Sequence, residues 1–313
     1  MSCHYALLDD EALLHLVGPD TLKFLQGQTT CDTETVDAKH ATPGAYCTPK
    51  GRVVCDFLLC QIDQDHYALR LRSDILEHSA AVFGKYIVFS KAELQPSNTA
   101  WQVFGCWGES AREQLHTVLG LPADSGPGEQ YACHSGEGFV LTQIDAQGYQ
   151  FECFINTEKH RELAQGLAAA LSPGAVNDWL ALQIDNGFAR VEAATVEEFI
   201  PQVLNYDLTG LVNFSKGCYT GQEVVARLHY RGKSKRRLFH ATTSEKLALA
   251  AGAPLYSAES ERVAGTVVNS ALGPDGLPIA LIVAPVAAGE NVLHLGSPQG
   301  PALLFDLSAD NTG

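Results

Sequence analysis

One stretch of this chain combines residue types and spacing suited to thiol chemistry. It reads KGCYTGQE, Lys216 to Glu223, with Lys216 and Gly217 ahead of Cys218 and Gly221 behind it. Thr220 and Glu223 stand three apart, directly before Val224 and Val225, which is capping-box spacing. The spacing predicts a helix starting at Thr220, with Tyr219 as the apolar residue before the cap and Val224 as its staple partner. Cys218 would then lie just upstream of a helix N-terminus, where unpaired N–H groups carry roughly half a positive charge. A thiolate there is stabilised, and Lys216 adds to this if its side chain turns the same way. Gly217 and Gly221 leave the backbone open to a ligand. Two readings follow: a reactive or ligand-contacting thiol, or a tight turn whose cysteine is merely packed.

A second stretch is set apart by charge. The chain has 313 residues and a formal net charge of −15, yet Arg227, Arg231, Lys233, Lys235, Arg236 and Arg237 fall within RLHYRGKSKRR. Such a strip suits carboxylates through charge-assisted bonds, or an acidic partner protein, or phosphates; it also fits a solvated loop between domains. Direct binding of nucleic acid is the least favoured of these, because the rest of the surface must be strongly acidic.

Apolar residues make up 46 % and charged residues 18 %, the composition of a globular protein with a substantial core. No apolar run approaches a membrane span, and the N-terminus carries acids where an export signal carries bases, so a cytoplasmic protein with no membrane partner is expected. The nine cysteines show no C-x-x-C pairing. Cys55 and Cys60, five apart in a strand, point to opposite faces and do not share a metal, so no permanently bound metal is expected. Apart from Cys218 they read as reduced thiols used as small hydrophobes.

The elements that must position these residues fall into three parts. In 1–95, YALLDDEALLHLVG reads as two strands around an acidic turn. Asp20 caps the short helix TLKFLQG. GAYCTPKGRVVCDFLLCQI is a hairpin turning at Pro49-Lys50-Gly51, and HYALRLR is a strand. Ser73 caps a helix reaching about Tyr86, with Ile75, Leu76, Val82 and Phe83 inward, and IVFSKAEL returns as a strand. In 96–237 the grammar repeats. WQVFGCW is a strand and ESAREQLHTVL a helix. FVLTQI and YQFECFI are paired strands, Asn156 caps a helix through NTEKHRELAQGLAAAL, and a further helix begins near Asp178 with Trp179. The fold class is α+β, two such layers packed face to face. In 238–313, LFHATT, RVAGTVVNS, PIALIVA and NVLHLG read as a small antiparallel barrel or sandwich.

KGCYTGQE closely resembles the signature of the YgfZ-type folate-binding proteins, relatives of the aminomethyltransferase (T-protein) of the glycine cleavage system. FLQGQ at Phe24–Gln28, KYIVFSK at Lys85–Lys91, WLALQIDNGF at Trp179–Phe188, FIPQ at Phe199–Gln202, Asn205 and ARLHYRGKSKRRL follow the family's pattern in order. The resemblance spans about residues 5 to 240. It implies an aminomethyltransferase-type ring of two α+β domains and a C-terminal antiparallel β-barrel around a folate channel. The first domain, 1–95, would bind folate, and the second, 96–237, would carry the signature. It implies tetrahydrofolate, or a one-carbon-substituted folate, as cofactor. It also implies a role in assembling or repairing iron–sulfur clusters in client enzymes, including the radical enzymes that thiolate tRNA. Cys218 matches the functional cysteine. Trp179, Asp56, Gln202, Asn205, Lys216, Tyr219, Gln222 and Arg227 are the positions expected to hold folate, Trp179 by stacking its indole on a flat ring.

The sequence departs from the family in two places. A tryptophan found early in some members is replaced by Asp9-Asp10-Glu11. Where true aminomethyltransferases carry two adjacent aspartates, this chain has Cys55-Asp56. A neutral thiol cannot stabilise a developing cation as a carboxylate does. The reading is therefore a folate-binding accessory protein rather than a classical aminomethyltransferase. The alternatives are a folate-dependent one-carbon transferase or demethylase, and a binding module in which folate is only structural.

Overall fold

The computed structural model describes residues 3–95, 100–122, 128–286 and 291–305. The expected boundary after residue 95 meets residues 96–99, which lie outside the described residues, as does the end of the third part beyond 305. Among the described residues no helix is long and apolar enough to cross a membrane. The chain divides into two compact units. One comprises 3–44, 56–179 and 216–218; the other comprises 45–55, 180–215 and 219–305.

The first unit is built on two sheets. The two strands around the acidic turn, β1 (His4–Leu7) and β2 (Glu11–Val17), do not pair with each other but enter different sheets. β2 lies between β5 (His66–Arg72) and the short β6 (Glu93–Gln95), with β4 (Val53–Asp63) and β3 (Thr42–Cys47) beyond β5. β4 is buried on both faces from Val53 to Cys60, the pattern of a strand covered on each side. β1 pairs antiparallel with β7 (Trp101–Trp107) and parallel with the two-residue β11 (Ser172–Pro173). β10 (Gln150–Asn156), β9 (Phe139–Gln143) and β8 (Cys133–Gly136) complete that sheet. Side chains of the two sheets meet directly: Arg70 Nε on β5 donates to Glu152 Oε2 on β10 at 2.8 Å, with Glu11 3.6 Å from the same guanidinium.

The helices are short. α1 is Thr21–Gln26, and α2 is Leu76–Ile87 after a 3-10 turn at Ser73–Ile75. Ile75, Ser79, Phe83 and Ile87, four apart, form the buried stripe. Leu76 and Val82, expected inward, are only half-buried. α3 (Ala111–Leu119) ends on Gly120, whose φ of 66° suits glycine. α4 is Arg161–Ala170 and α5 is Val176–Asp185.

Four cap and strand expectations are corrected, the first being Ser73, which lies inside the 3-10 turn and does not cap α2. Asp20 stands at the N-cap of α1, but its carboxylate accepts from Lys91 N–H at 2.9 Å instead of capping the helix. Asn156 closes β10 and accepts from Lys159 N–H; His160 is the N-cap of α4. IVFSKAEL is not one strand, because α2 runs to Ile87 and only Glu93–Gln95 pairs.

In the second unit, β12 (Arg236–Thr242), β15 (Pro278–Pro285), β14 (Val263–Leu272), β13 (Pro254–Tyr256), β16 (Val292–Leu295) and β17 (Ala302–Phe305) close into a barrel. Closure removes the sheet edges. Phe239, Leu255, Val267, Ile282, Leu293 and Leu303 fill its core. This unit also holds α6 (Gln222–Arg231), residues 180–185 of α5, and 3-10 turns at Ala193–Thr195 and Pro201–Leu204.

Candidate functional site

Lys216, Gly217 and Cys218 belong to the first unit. Cys218 is exposed, and the other eight cysteines are all buried. Its thiol lines a cleft of about 430 Å³ together with Leu22, Lys23, Gln26, Gly27 and Glu34. Gln26 and Gly27 come from FLQGQ, so two separated motifs converge here. Lys23 and Glu34 put one charge of each sign on the walls of the same cleft. Neither they nor Gln26 follows from the spacing of KGCYTGQE; the only signal was the presence of FLQGQ, which carried no role.

What joins the motifs is Lys216. Its ammonium donates to the carbonyls of Gln26, Thr29 and Cys31 at 2.8, 2.7 and 2.6 Å. Gln26 is the last residue of α1, where carbonyls lack helical partners, so the ammonium completes that helix end and fixes the segment after it. Burial lowers the lysine's pKa, opposed by the nearby Cys31, Asp32 and Glu34. Cys31 itself is buried and its thiol is pushed up to about 11, chiefly by desolvation.

The predicted capping box is absent. α6 begins at Gln222, two residues later than the spacing predicts, with Gly221 at its N-cap in the left-handed region (φ 84°) and no side chain capping it. Gly221 also approaches Thr48: a Cβ on it would stand 2.5 Å from the Thr48 carbonyl oxygen. Three residues separate Cys218 from the first helical residue. The dipole argument, which needs a group within the first turn, loses its sequence basis.

The other expected positions divide between the units. In the first, Asp56 is 3 % exposed. Trp179 is equally buried, its indole lying on β7, where a Cβ on Gly105 would come within 2.7 Å of the ring and Trp107 packs at 6.0 Å between centroids. Its indole is committed to packing. In the second unit, Gln202 donates through Nε2 to the Val225 carbonyl at 2.7 Å, and Asn205, left-handed at φ 59°, donates through Nδ2 to the Leu238 carbonyl at 3.0 Å. The amide oxygens of both are buried without a hydrogen-bond partner. Tyr219 is buried and its phenol is pushed up by desolvation, with Cys47 adding to the effect. Gln222 is half-buried and Arg227 exposed. Among the described residues no group of three His, Cys, Asp or Glu side chains is placed to hold a metal ion.

The basic run is not uniform. Arg237 forms a two-pronged pair with Asp207, at 2.6 and 3.0 Å, and donates to the Gln202 carbonyl; Arg236 donates to the Ala264 carbonyl. These two hold the structure together. Arg227, Arg231, Lys233 and Lys235 are exposed.

No family model matches the chain. In fold it is similar to the glycine cleavage system aminomethyltransferase T from Bartonella henselae, with a TM-score of 0.78 over 99 % of this chain and 86 % of that one at 15 % identity. The expected α+β class with a C-terminal barrel of the aminomethyltransferase type is thus present. In sequence it is 33 % identical over 272 residues to the tRNA-modifying protein YgfZ of Yersinia pseudotuberculosis serotype IB (strain PB1/+), covering 86 % of this chain and 80 % of that protein. It is 32 % identical over 300 residues to the tRNA-modifying protein YgfZ of Photorhabdus laumondii, covering 95 % and 89 %. With identity at that level across most of both chains, and the signature cysteine exposed at a cleft, the chain belongs to the YgfZ family.

Proposed function

We propose that this protein is a tetrahydrofolate-binding accessory factor in tRNA modification. In this reading it supports iron–sulfur cluster assembly or repair in client enzymes, with Cys218 as its working thiol. The observation that carries the reading is selective exposure: of nine cysteines, the one in the signature lies at an open cleft and eight are buried. The names of the relatives supply the tRNA link.

A folate offers N–H donors on its pterin ring, and the orphaned oxygens of Gln202 and Asn205 fit such a ligand, since a buried acceptor left unmatched costs about 1–3 kcal/mol. Those two residues would hold the ring's donors. Bound folate would supply one-carbon or redox chemistry. Cys218 offers a thiol that reaches a partner without unfolding, with Lys23 and Glu34 on the walls of the same cleft for orientation. Methylene transfer from an aminomethyl carrier is the less favoured reading. Cys55, which occupies the place of the first acid, is fully buried and brings no carboxylate.

The test has two arms. Tetrahydrofolate at a hundred times its dissociation constant stabilises by about 2.7 kcal/mol, which raises the melting temperature by about 4 °C. Cys218→Ser keeps that shift but, in cells lacking the native copy, fails to restore client cluster occupancy and tRNA thiolation. No shift with millimolar tetrahydrofolate removes the folate part; full restoration by Cys218→Ser removes the thiol part.

A further inference from the structure

We propose that the corner of the second unit formed by α6 and the segment leading into β12 is a binding site for single-stranded nucleic acid. Three observations converge there. Four exposed cations, Arg227, Arg231, Lys233 and Lys235, fall within nine residues, and the two arginines lie one helical turn apart. Aromatic rings are interleaved with them. Phe214 stacks on His229 with centroids 3.7 Å apart and planes at 13°, and Tyr230 stands edge-on to His229 at 4.8 Å with 69 % of its surface exposed. A cavity of about 330 Å³ opens beside them, lined in part by Leu208, Leu228, His229, Lys233, Ser234 and Val286.

Cations tracking a backbone, a ring free to stack and a partly apolar recess beside both are the parts that single strands use. A duplex would leave Tyr230 and the recess without a base to receive. An acidic polypeptide would satisfy the cations but offers no flat groups for the rings. The acidic character of the whole chain argued against nucleic acid at the level of composition. At physiological salt, however, charges farther than about 8 Å are screened, so the local cluster governs contact. The acids near the strip include Asp207, already held by Arg237, Glu198, which acts on Arg236, and Glu223, one turn before Arg227. Cys218 is no part of this site; Gln202, which also lines the recess, is shared with the folate reading above, and the Cys218 and folate arms of the experiment separate the two.

The experiment is fluorescence anisotropy of the full-length protein with labelled twelve-nucleotide oligouridine and oligoadenosine RNA across a salt series. Four phosphate contacts predict a slope of log affinity against log salt of about −2.8. Lys233→Gln/Lys235→Gln halves that slope to about −1.4. Tyr230→Ala weakens binding about tenfold with the slope unchanged, because stacking releases no counterions. Cys218→Ser binds as the wild type does. The proposal is overturned if RNA fails to bind at 50 mM salt, or if a twelve-residue polyglutamate peptide binds equally well and Tyr230→Ala changes nothing. Displacement of the RNA by tetrahydrofolate triglutamate, or loss of RNA binding in Cys218→Ser, also overturns it.

Discussion

Lys216 and Lys233 carry the same ammonium group and stand in opposite circumstances. In the first unit, Lys216 is partly buried and closes on three carbonyls within 2.8 Å. In the second unit, Lys233 is exposed beside a cavity, with Arg227, Arg231 and Lys235 similarly open. The sequence writes both as lysines near glycines. The contrast teaches that a cation in a signature motif is not thereby a ligand group. Whether it builds the site or faces the partner depends on where its carbonyls are, which only the fold decides.

The largest effect should come from breaking the buried side of that contrast. Lys216→Met removes a charged donor from three carbonyls and should cost about 3–5 kcal/mol in urea unfolding. Lys216→Arg should recover only part of this, since a planar guanidinium does not converge on three acceptors as an ammonium does. Equal stability of Lys216→Met and wild type would end the comparison.

Imidazoles sharpen it next. His15 is fully buried, its Nδ1 2.9 Å from Nε2 of His66, and its pKa is lowered from 6.5 to about 4 by burial first and by His66 second. Between those two values the unfolded chain binds the proton and the folded chain does not, so stability falls as pH drops from about 6.5 to 4. The loss from this group is about 3 kcal/mol. His15→Gln should flatten that part of the pH profile, read from denaturant melts at pH 7 and 4.5.

The smallest effect lies on the open side. Lys233→Gln/Lys235→Gln should shift stability by no more than about 0.5 kcal/mol, measured in the same melts. A larger loss would mean that these lysines hold structure as Lys216 does.

Much of the fold was legible because alternation survives burial. WQVFGCW, HYALRLR and PIALIVA are strands as read, and Gly51 turns the β3–β4 hairpin at φ 71°. Four short pieces, β8, β11, β13 and β17, were not legible: two to four residues carry little period, and unlike the equally short β1 and β16 they sit in no run that alternates. The capping errors share a cause. Asp20 and Asn156 have cap chemistry, but N–H groups from Lys91 and Lys159 claim their side chains. Thr220 has cap spacing, but Gly221 turns left-handed under the Thr48 carbonyl and delays the helix. At the site, the glycines around Cys218 left two readings open, an accessible thiol or a packed one, and the fold decides for exposure. The meeting of Lys216 with Gln26 was not legible, because a contact 190 residues apart leaves no mark on local spacing.

The Lys216 clamp also sets a clock on biosynthesis. Cys31 leaves the ribosome 185 residues ahead of the lysine that will bind its carbonyl. At about 5–20 residues per second, the loop after α1 waits roughly 10–40 s for its partner. Throughout that interval the nascent chain must keep the loop's carbonyls hydrated, and any chain halted before Lys216 leaves the ribosome with its first unit unlatched.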